Sequence, residues 1–327
     1  MKNGIVQHMS DSRPVLVSGV KPTGDLHIGN YFGAMRQLVE LTKEGKYRPF
    51  IFVADYHALN TMQDAEEMRR RTRELVMAYI AIGLDPKEVV FFKQSDVPAH
   101  TELCWIFDTI TTMPYLMRAH AYKDAEAKNK ELNVGTFNYP MLMAADILLY
   151  DAAIVPVGAD QKQHIEYARD TAEKFNRVFK QDVFTLPEPY IMPEVAVVPG
   201  TDGQKMSKSY RNVIPLFASR DELTKAVMSI VTDSSGERPE NVYRIHRLFR
   251  SEVNLNALYD EHKGNYKVLK ETLIEDLDRY LAPMRAKYEE LKEDSSIVEE
   301  VLENGKREAR DVSEQKMEQV RKAVGVA

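Results

Sequence analysis

The chain carries two different hydrophobic rhythms. Over the first two-thirds, short apolar blocks alternate with stretches of helical period. Residues 14–18 (PVLVS), 49–54 (PFIFVA), 89–92 (VVFF) and 154–157 (IVPV) are compact apolar runs beside turn residues, the pattern of buried strands. Between them, Ile28, Phe32, Met35 and Val39 recur at spacings of four, three and four, which predicts one face of a helix. Asp64 can cap a helix through about Ile82, with Gly83 and Pro86 ending it, and residues 98–109, 139–150 and 160–177 predict three more. Strands alternating with helices imply right-handed crossovers and a parallel sheet, with the ligand crevice beyond the carboxyl ends of its strands. The polar segment 123–133 (KDAEAKNKELN) is expected to be a mobile insertion over that crevice.

After Val198 the rhythm changes. PGTDGQKMSKSYRN is a glycine- and serine-bearing loop, and from Ser219 onward the period is helical and charge-rich. The division expected is a flexible leader at 1–12, an α/β domain at 13–213 with an insertion at about 97–135, and an α-helical domain at 214–327.

Composition bounds the function. The 327 residues include 50 acidic and 44 basic side chains, a net charge of −6, which argues against a general nucleic-acid binder but leaves room for a local basic face. The single cysteine, Cys104, excludes an internal disulfide and a cysteine-based zinc site and suits a reducing cytoplasm. No apolar run is long enough to span a bilayer, and residues 1–13 lack the charged-then-apolar order of a signal peptide.

Two motifs suggest chemistry. Residues 18–30 (SGVKPTGDLHIGN) lie between the first strand and first helix, where backbone N–H groups and the helix dipole favour phosphate. Gly19 and Gly24 allow tight turning, Gly29 leaves space for a flat purine, and His27 and Asn30 can donate to phosphate or ribose oxygens. HIGN alone is also compatible with an ordinary strand–turn–helix junction with a capping histidine. Residues 205–209 (KMSKS) place two ammonium groups beside hydroxyls in a loop, suited to a leaving pyrophosphate.

In this order and at this separation, the two motifs resemble the HIGH and KMSKS signatures of class I aminoacyl-tRNA synthetases. SGxxPTGxLHIGNYxGA, with residues 139–170 (YPMLMAADILLYDAAIVPVGADQKQHIEYARD), resembles the bacterial tryptophan-specific branch. The likeness runs from about Val15 to Tyr210, with a looser helical match beyond. It implies a Rossmann-like α/β fold with an α-helical C-terminal domain that binds the tRNA anticodon. The implied activity is joining of L-tryptophan to tRNA(Trp) at the expense of ATP, with Mg²⁺ arriving on the nucleotide and no dedicated metal ligands, in a cytoplasmic homodimer paired near residues 98–118.

The resemblance also implies site residues. His27, Lys205 and Lys208 would be catalytic. Lys21, Pro22, Thr23, Gly29, Asn30, Gly158, Ala159, Asp160, Val195, Met206, Ser207 and Ser209 would complete the ATP site. Asp146 would accept the indole N–H between Val17, Met143, Val155 and Val157; Tyr139 and Gln161 would hold the substrate ammonium; and His57 would stand at the pocket edge. Lys123 corresponds to a lysine that reaches pyrophosphate, or is simply solvated. Lys21 replaces the glutamine of many relatives, and His27 replaces a threonine found in some. Arg244, Arg247 and Arg250 fall three apart and could face RNA or solvent. A tyrosine-specific ligase, a small-molecule adenylyltransferase and a tryptophan-binding regulator are the competing readings.

Overall fold

The computed structural model describes residues 11–119, 122–123, 133–158, 162–191, 197–232 and 238–327. Five strands form one parallel sheet in the order β3-β2-β1-β4-β5. They are β1 (Val15–Val20), β2 (Arg48–Val53), β3 (Val90–Lys93), β4 (Ile154–Val157) and β5 (Glu188–Ile191). Both faces are covered, so the inner strands read as continuous apolar runs. Leu16, Ile51, Val53 and Phe91 point into one core, and Val17, Phe50, Phe52, Val90 and Phe92 into the other.

Sequence and structure agree on the inner strands to within two residues. β5 was not expected. It is an edge strand with mostly part-exposed side chains and a proline, Pro189, and so lacks the apolar signature of its neighbours. The helix expected from Tyr139 begins earlier, at Val134–Leu148, because the Asn133 side chain accepts the N–H of Thr136 at 2.7 Å and caps it there. Pro140 therefore lies inside the helix. The helix Ala65–Ala81 is capped as expected by Asp64, which accepts the N–H groups of Glu66 and Glu67 at 2.9 Å.

The first helical run is Ile28–Asn30, a wider π-type turn at Tyr31–Met35, and then Arg36–Lys43. Ile28, Phe32, Met35 and Val39 all enter the first core. That core continues into the later helices, joining Ile28 and Phe91 to Ile214, Leu223, Leu277 and Val298. Tyr280 and Phe249 pack on Phe32 with ring centroids 5.9 and 5.3 Å away, and the Tyr31 and Tyr280 hydroxyls lie 3.0 Å apart.

The last helix, Ser296–Val324, returns to the sheet and covers edge strand β3. Its contact is close because Gly305 lacks a side chain: a Cβ there would lie 2.0 Å from the Phe91 carbonyl oxygen. Arg48–Glu308 at 2.6 Å and Arg321–Glu102 at 2.7 Å tie the same helix to neighbouring elements. Covering this edge leaves fewer unpaired backbone groups open to another chain.

Candidate active site

One end of the site is a buried carboxylate. Asp146 lies on the helix Val134–Leu148 and is 2% exposed. Its Oδ2 accepts from His57 Nε2 at 2.8 Å, and its Oδ1 accepts from Gln94 Nε2 at 2.7 Å and His100 Nδ1 at 2.7 Å. His100 Nε2 meets the Tyr150 hydroxyl at 2.9 Å. These donors come from separate elements: the turn helix Asp55–Ala58, the single turn Gln94–Asp96 after β3, and the helix Ala99–Ile110. Burial would raise the Asp146 pKa, but the hydrogen bonds and electrostatic attraction of His100 and His57 outweigh it and hold the group at about 2. The carboxylate is therefore an acceptor at neutral pH, and three donors on two oxygens leave acceptor capacity for one more.

The apolar residues expected beside this acid lie in the core on the same side of the sheet. Val17, Val155 and Val157 are buried and Met143 is half-buried in the same core. The half-buried Tyr139 reaches His164 through its hydroxyl, and its ring lies 6.3 Å from that of His57. Burial pushes the Tyr139 phenol up to about 12, so it stays protonated and can both donate and accept.

The other end is built from loops. His27 caps the first helix: its Nδ1 accepts the Asn30 N–H at 3.3 Å, while Asn30 Oδ1 accepts the His27 N–H at 3.1 Å. Burial first, and the nearby Lys208 charge second, push His27 down to about 4. The ring is therefore neutral near pH 7, and with Nδ1 accepting, its proton sits on Nε2. The cap and the functional reading of HIGN are compatible, because the cap fixes which nitrogen donates.

The lysine loop sits against this turn. Ile28 N donates to Ile214 O and Leu216 N to Leu26 O, both at 3.0 Å, so the strand-like segment after KMSKS pairs with the HIGN turn. Met206 is buried, and a Cβ on Gly29 would stand 3.2 Å from Met206 Cβ. Lys208 lies across Gly24, whose φ of +72° few other residues adopt and whose added Cβ would be 2.0 Å from Lys208 Nζ. Burial lowers the Lys208 pKa, opposed by Asp25, which is itself ion-paired with Arg71. Lys205 and Ser209 are exposed and Ser207 is half-buried. Lys21, Pro22 and Thr23 line a 220 Å³ cavity with Arg71, Phe217 and Tyr288.

The loop's shape depends on Asn212, which is 2% exposed. Its Oδ1 accepts the Ser207 N–H at 2.7 Å, while Nδ2 donates to Asp202 Oδ1 at 2.7 Å and to the Lys205 carbonyl at 3.1 Å.

Gly158 stands directly after β4, and Lys123 is exposed, its N–H bonded to Ala119 O at 3.2 Å. Ala159, Asp160, Gln161 and Val195, and all of 124–132 in the expected insertion, lie outside the described residues. The sequence reading missed Gln94, His100, Tyr150 and Asn212. A signal existed for the first two: QSDVPAH directly follows a strand, at the crevice end of a parallel sheet.

A family model described as tRNA synthetases class I (W and Y) matches residues 9–303. The chain belongs to this family. The synthetase is accordingly an ATP-dependent aminoacyl-tRNA ligase. It is 46% identical over 318 residues to the tryptophan–tRNA ligase of Fusobacterium nucleatum, covering 95% of this chain and 97% of that protein. The crystal structure of the Campylobacter jejuni tryptophanyl-tRNA synthetase, complexed with ADP and tryptophan, matches the synthetase with a TM-score of 0.88 at 43% identity, over 95% of this chain and 99% of that one. The tyrosyl-tRNA synthetase of Archaeoglobus fulgidus shares the fold, with a TM-score of 0.62 at 20% identity over 86% of this chain and 91% of that one.

Proposed function

We propose that Asp146 reads the indole N–H of L-tryptophan, while His27, Lys205 and Lys208 stabilise charge as the amino acid is activated. The activity is that of a bacterial-type tryptophan–tRNA ligase. The tryptophan carboxylate attacks the α-phosphate of ATP, forming a C–O–P linkage while the bond to pyrophosphate breaks. A terminal ribose hydroxyl of tRNA(Trp) then takes the acyl group and AMP leaves. A carboxylate is already ionised at neutral pH, so the first step needs alignment and charge stabilisation rather than a protein base.

The observation that carries this reading is the ionised, buried Asp146 with acceptor capacity to spare, on a helix packed into an apolar core. Leaving such an acceptor without its donor is unfavourable, so phenylalanine is rejected. At the other end, the neutral His27 offers an N–H and the two lysines offer charge to phosphate oxygens. Lys21, Pro22, Thr23, Gly29, Asn30, Met206, Ser207 and Ser209 complete this phosphate end. Gly158, Ala159 and Asp160 are assigned to the ribose, Val195 to the adenine, Tyr139 and Gln161 to the substrate ammonium, and Lys123 to pyrophosphate. These N–H and ammonium groups suit phosphate oxygens. The described residues contain no group of three His, Cys, Asp or Glu placed to hold a metal. We assign Mg²⁺ to the nucleotide's own oxygens, where it would neutralise phosphate charge.

The helices of 214–327 are assigned to the anticodon. Arg244 and Arg247 are exposed, whereas Arg250 is committed to Asp276, with Nη2 3.0 Å from Oδ1. Trp105, Met113 and Met117, exposed by 71, 62 and 44%, are assigned to the face proposed to pair two copies. No helix among the described residues is long and apolar enough to cross a membrane. The cytoplasm is the proposed location.

The test is pyrophosphate exchange with tryptophan, tyrosine and phenylalanine, followed by charging of purified tRNA(Trp). Exchange with tryptophan alone is expected, and Asp146→Ala should erode a preference of roughly 10⁴-fold over phenylalanine. An Asp146→Ala enzyme as selective as the parent would end the assignment. Trp105→Glu should yield monomers in sedimentation; an unchanged mass would reject the pairing face.

A further inference from the structure

Resting on the assignment of Asp146 to the indole N–H, we propose that His100, set by Tyr150, is a positioning residue for amino-acid specificity. His100 is fully buried and stands between the sheet and Asp146, its ring centroid 5.7 Å from Phe52, 6.2 Å from Phe92 and 5.5 Å from Tyr150. Both ring nitrogens are committed, to Asp146 Oδ1 at 2.7 Å and to the Tyr150 hydroxyl at 2.9 Å.

The direction of these bonds follows from chemistry. An ionised carboxylate only accepts, so His100 Nδ1 carries a proton and donates it. Burial raises the Tyr150 phenol well above its ordinary range, so its O–H persists and can donate to Nε2. The chain then runs Tyr150 O–H to Nε2, and Nδ1–H to Asp146. This order selects one tautomer, the one that presents an N–H to the carboxylate. His57 and Gln94 also donate to Asp146, but the described contacts show only His100 tied at both ends in a single line.

The consequence concerns selectivity. Burial alone favours a protonated Asp146. A protonated acid both donates and accepts, so it discriminates poorly between a ligand N–H and a ligand acceptor. The donors keep it an acceptor, and their directions fix which oxygen edge faces the slot. The groups facing Asp146 are His57 on the turn helix Asp55–Ala58, Gln94 after β3, and His100 and Cys104 on the helix Ala99–Ile110, with Tyr150 behind His100. Burial holds the Cys104 thiol above its ordinary range and so uncharged near neutral pH.

Pyrophosphate exchange would be measured for His100→Leu, His100→Asn and Tyr150→Phe, with tryptophan and with its benzothiophene analogue, in which sulfur replaces the ring N–H. His100→Leu should raise the KM for tryptophan roughly tenfold while altering the analogue and ATP by less than about twofold. The acid limb of the tryptophan KM should move to higher pH, because Asp146 loses a donor to its charged form. His100→Asn, which can still place an N–H near the Nδ1 position, should recover most of the loss, and Tyr150→Phe should show a weaker version of it. Equal losses for tryptophan and the analogue, or an unmoved acid limb, would overturn the proposal. If His100→Leu does not fold, the other two variants decide by the same ratio. If Asp146→Ala abolishes selectivity and the His100 variants keep it, the His100 proposal alone fails. If Asp146→Ala keeps selectivity, the underlying assignment fails as well.

Discussion

Asp146 and Lys205 stand at opposite ends of the proposed reaction, and they are held in place by different means. Asp146 is buried and gripped by donors from three elements around the sheet. Lys205 is exposed on a loop whose form rests on Asn212 and on backbone pairing with the HIGN turn. Reading an aromatic ring calls for a rigid acceptor whose desolvated charge is already balanced. Gripping a polyphosphate that must leave calls for cations that solvent can reach and a loop that can release. The same fold provides both because the sheet packs its acid inside, while the returning loop lies on the surface of the first helix.

The largest expected difference between the ends is kinetic. Lys205→Ala should slow pyrophosphate exchange by roughly 10²–10³-fold, the usual effect of losing one preorganised donor, while tryptophan binding by equilibrium dialysis changes little. Comparable losses in both would blur the division. The next concerns pH and stability. The folded-state pKa of Asp146 lies below its unfolded value, so its stabilisation is present above that value and is lost as pH falls through about 2. Asp146→Asn should therefore remove about 2 kcal/mol of pH-dependent stability between roughly pH 4 and pH 2, read from the difference between the two urea-unfolding curves. Parallel curves would show that the acid is not balanced as described.

A smaller effect is expected at Asn212. Asn212→Ala leaves the Ser207 N–H and Lys205 carbonyl without their buried partner, and exchange should slow about tenfold with an unchanged tryptophan KM. A rise in tryptophan KM instead would mean that the loop also shapes the amino-acid end. The smallest is a control. Ser219→Ala removes a capping box with Glu222 and should lower stability by about 1 kcal/mol in thermal unfolding, leaving both substrate KM values in place. Altered KM values would couple this helix to the site.

The periodicity of the chain was enough to place β1 to β4, the cap at Asp64 and the apolar face of the first helix. These are local matters: alternation, capping chemistry and apolar spacing act over a few residues. The motifs SGVKPTGDLHIGN and KMSKS likewise carried the expectation of a nucleotide end, since phosphate contacts reuse short, glycine- and lysine-bearing segments. β5 escaped because an exposed edge strand with a proline carries little apolar signal.

Tertiary structure alone decided three further things. It brought Gln94, His100 and His57 onto Asp146 from segments 46 to 89 residues away, a charge balance that nothing near Asp146 in sequence foretells. It paired Ile214 and Leu216 with Leu26 and Ile28, setting the lysine loop against the histidine turn. It also returned the last helix to the edge of the sheet, where Gly305 lets it approach Phe91. Such contacts depend on where whole elements pack, and a buried polar group is satisfied by whichever donors that packing delivers rather than by its neighbours along the chain.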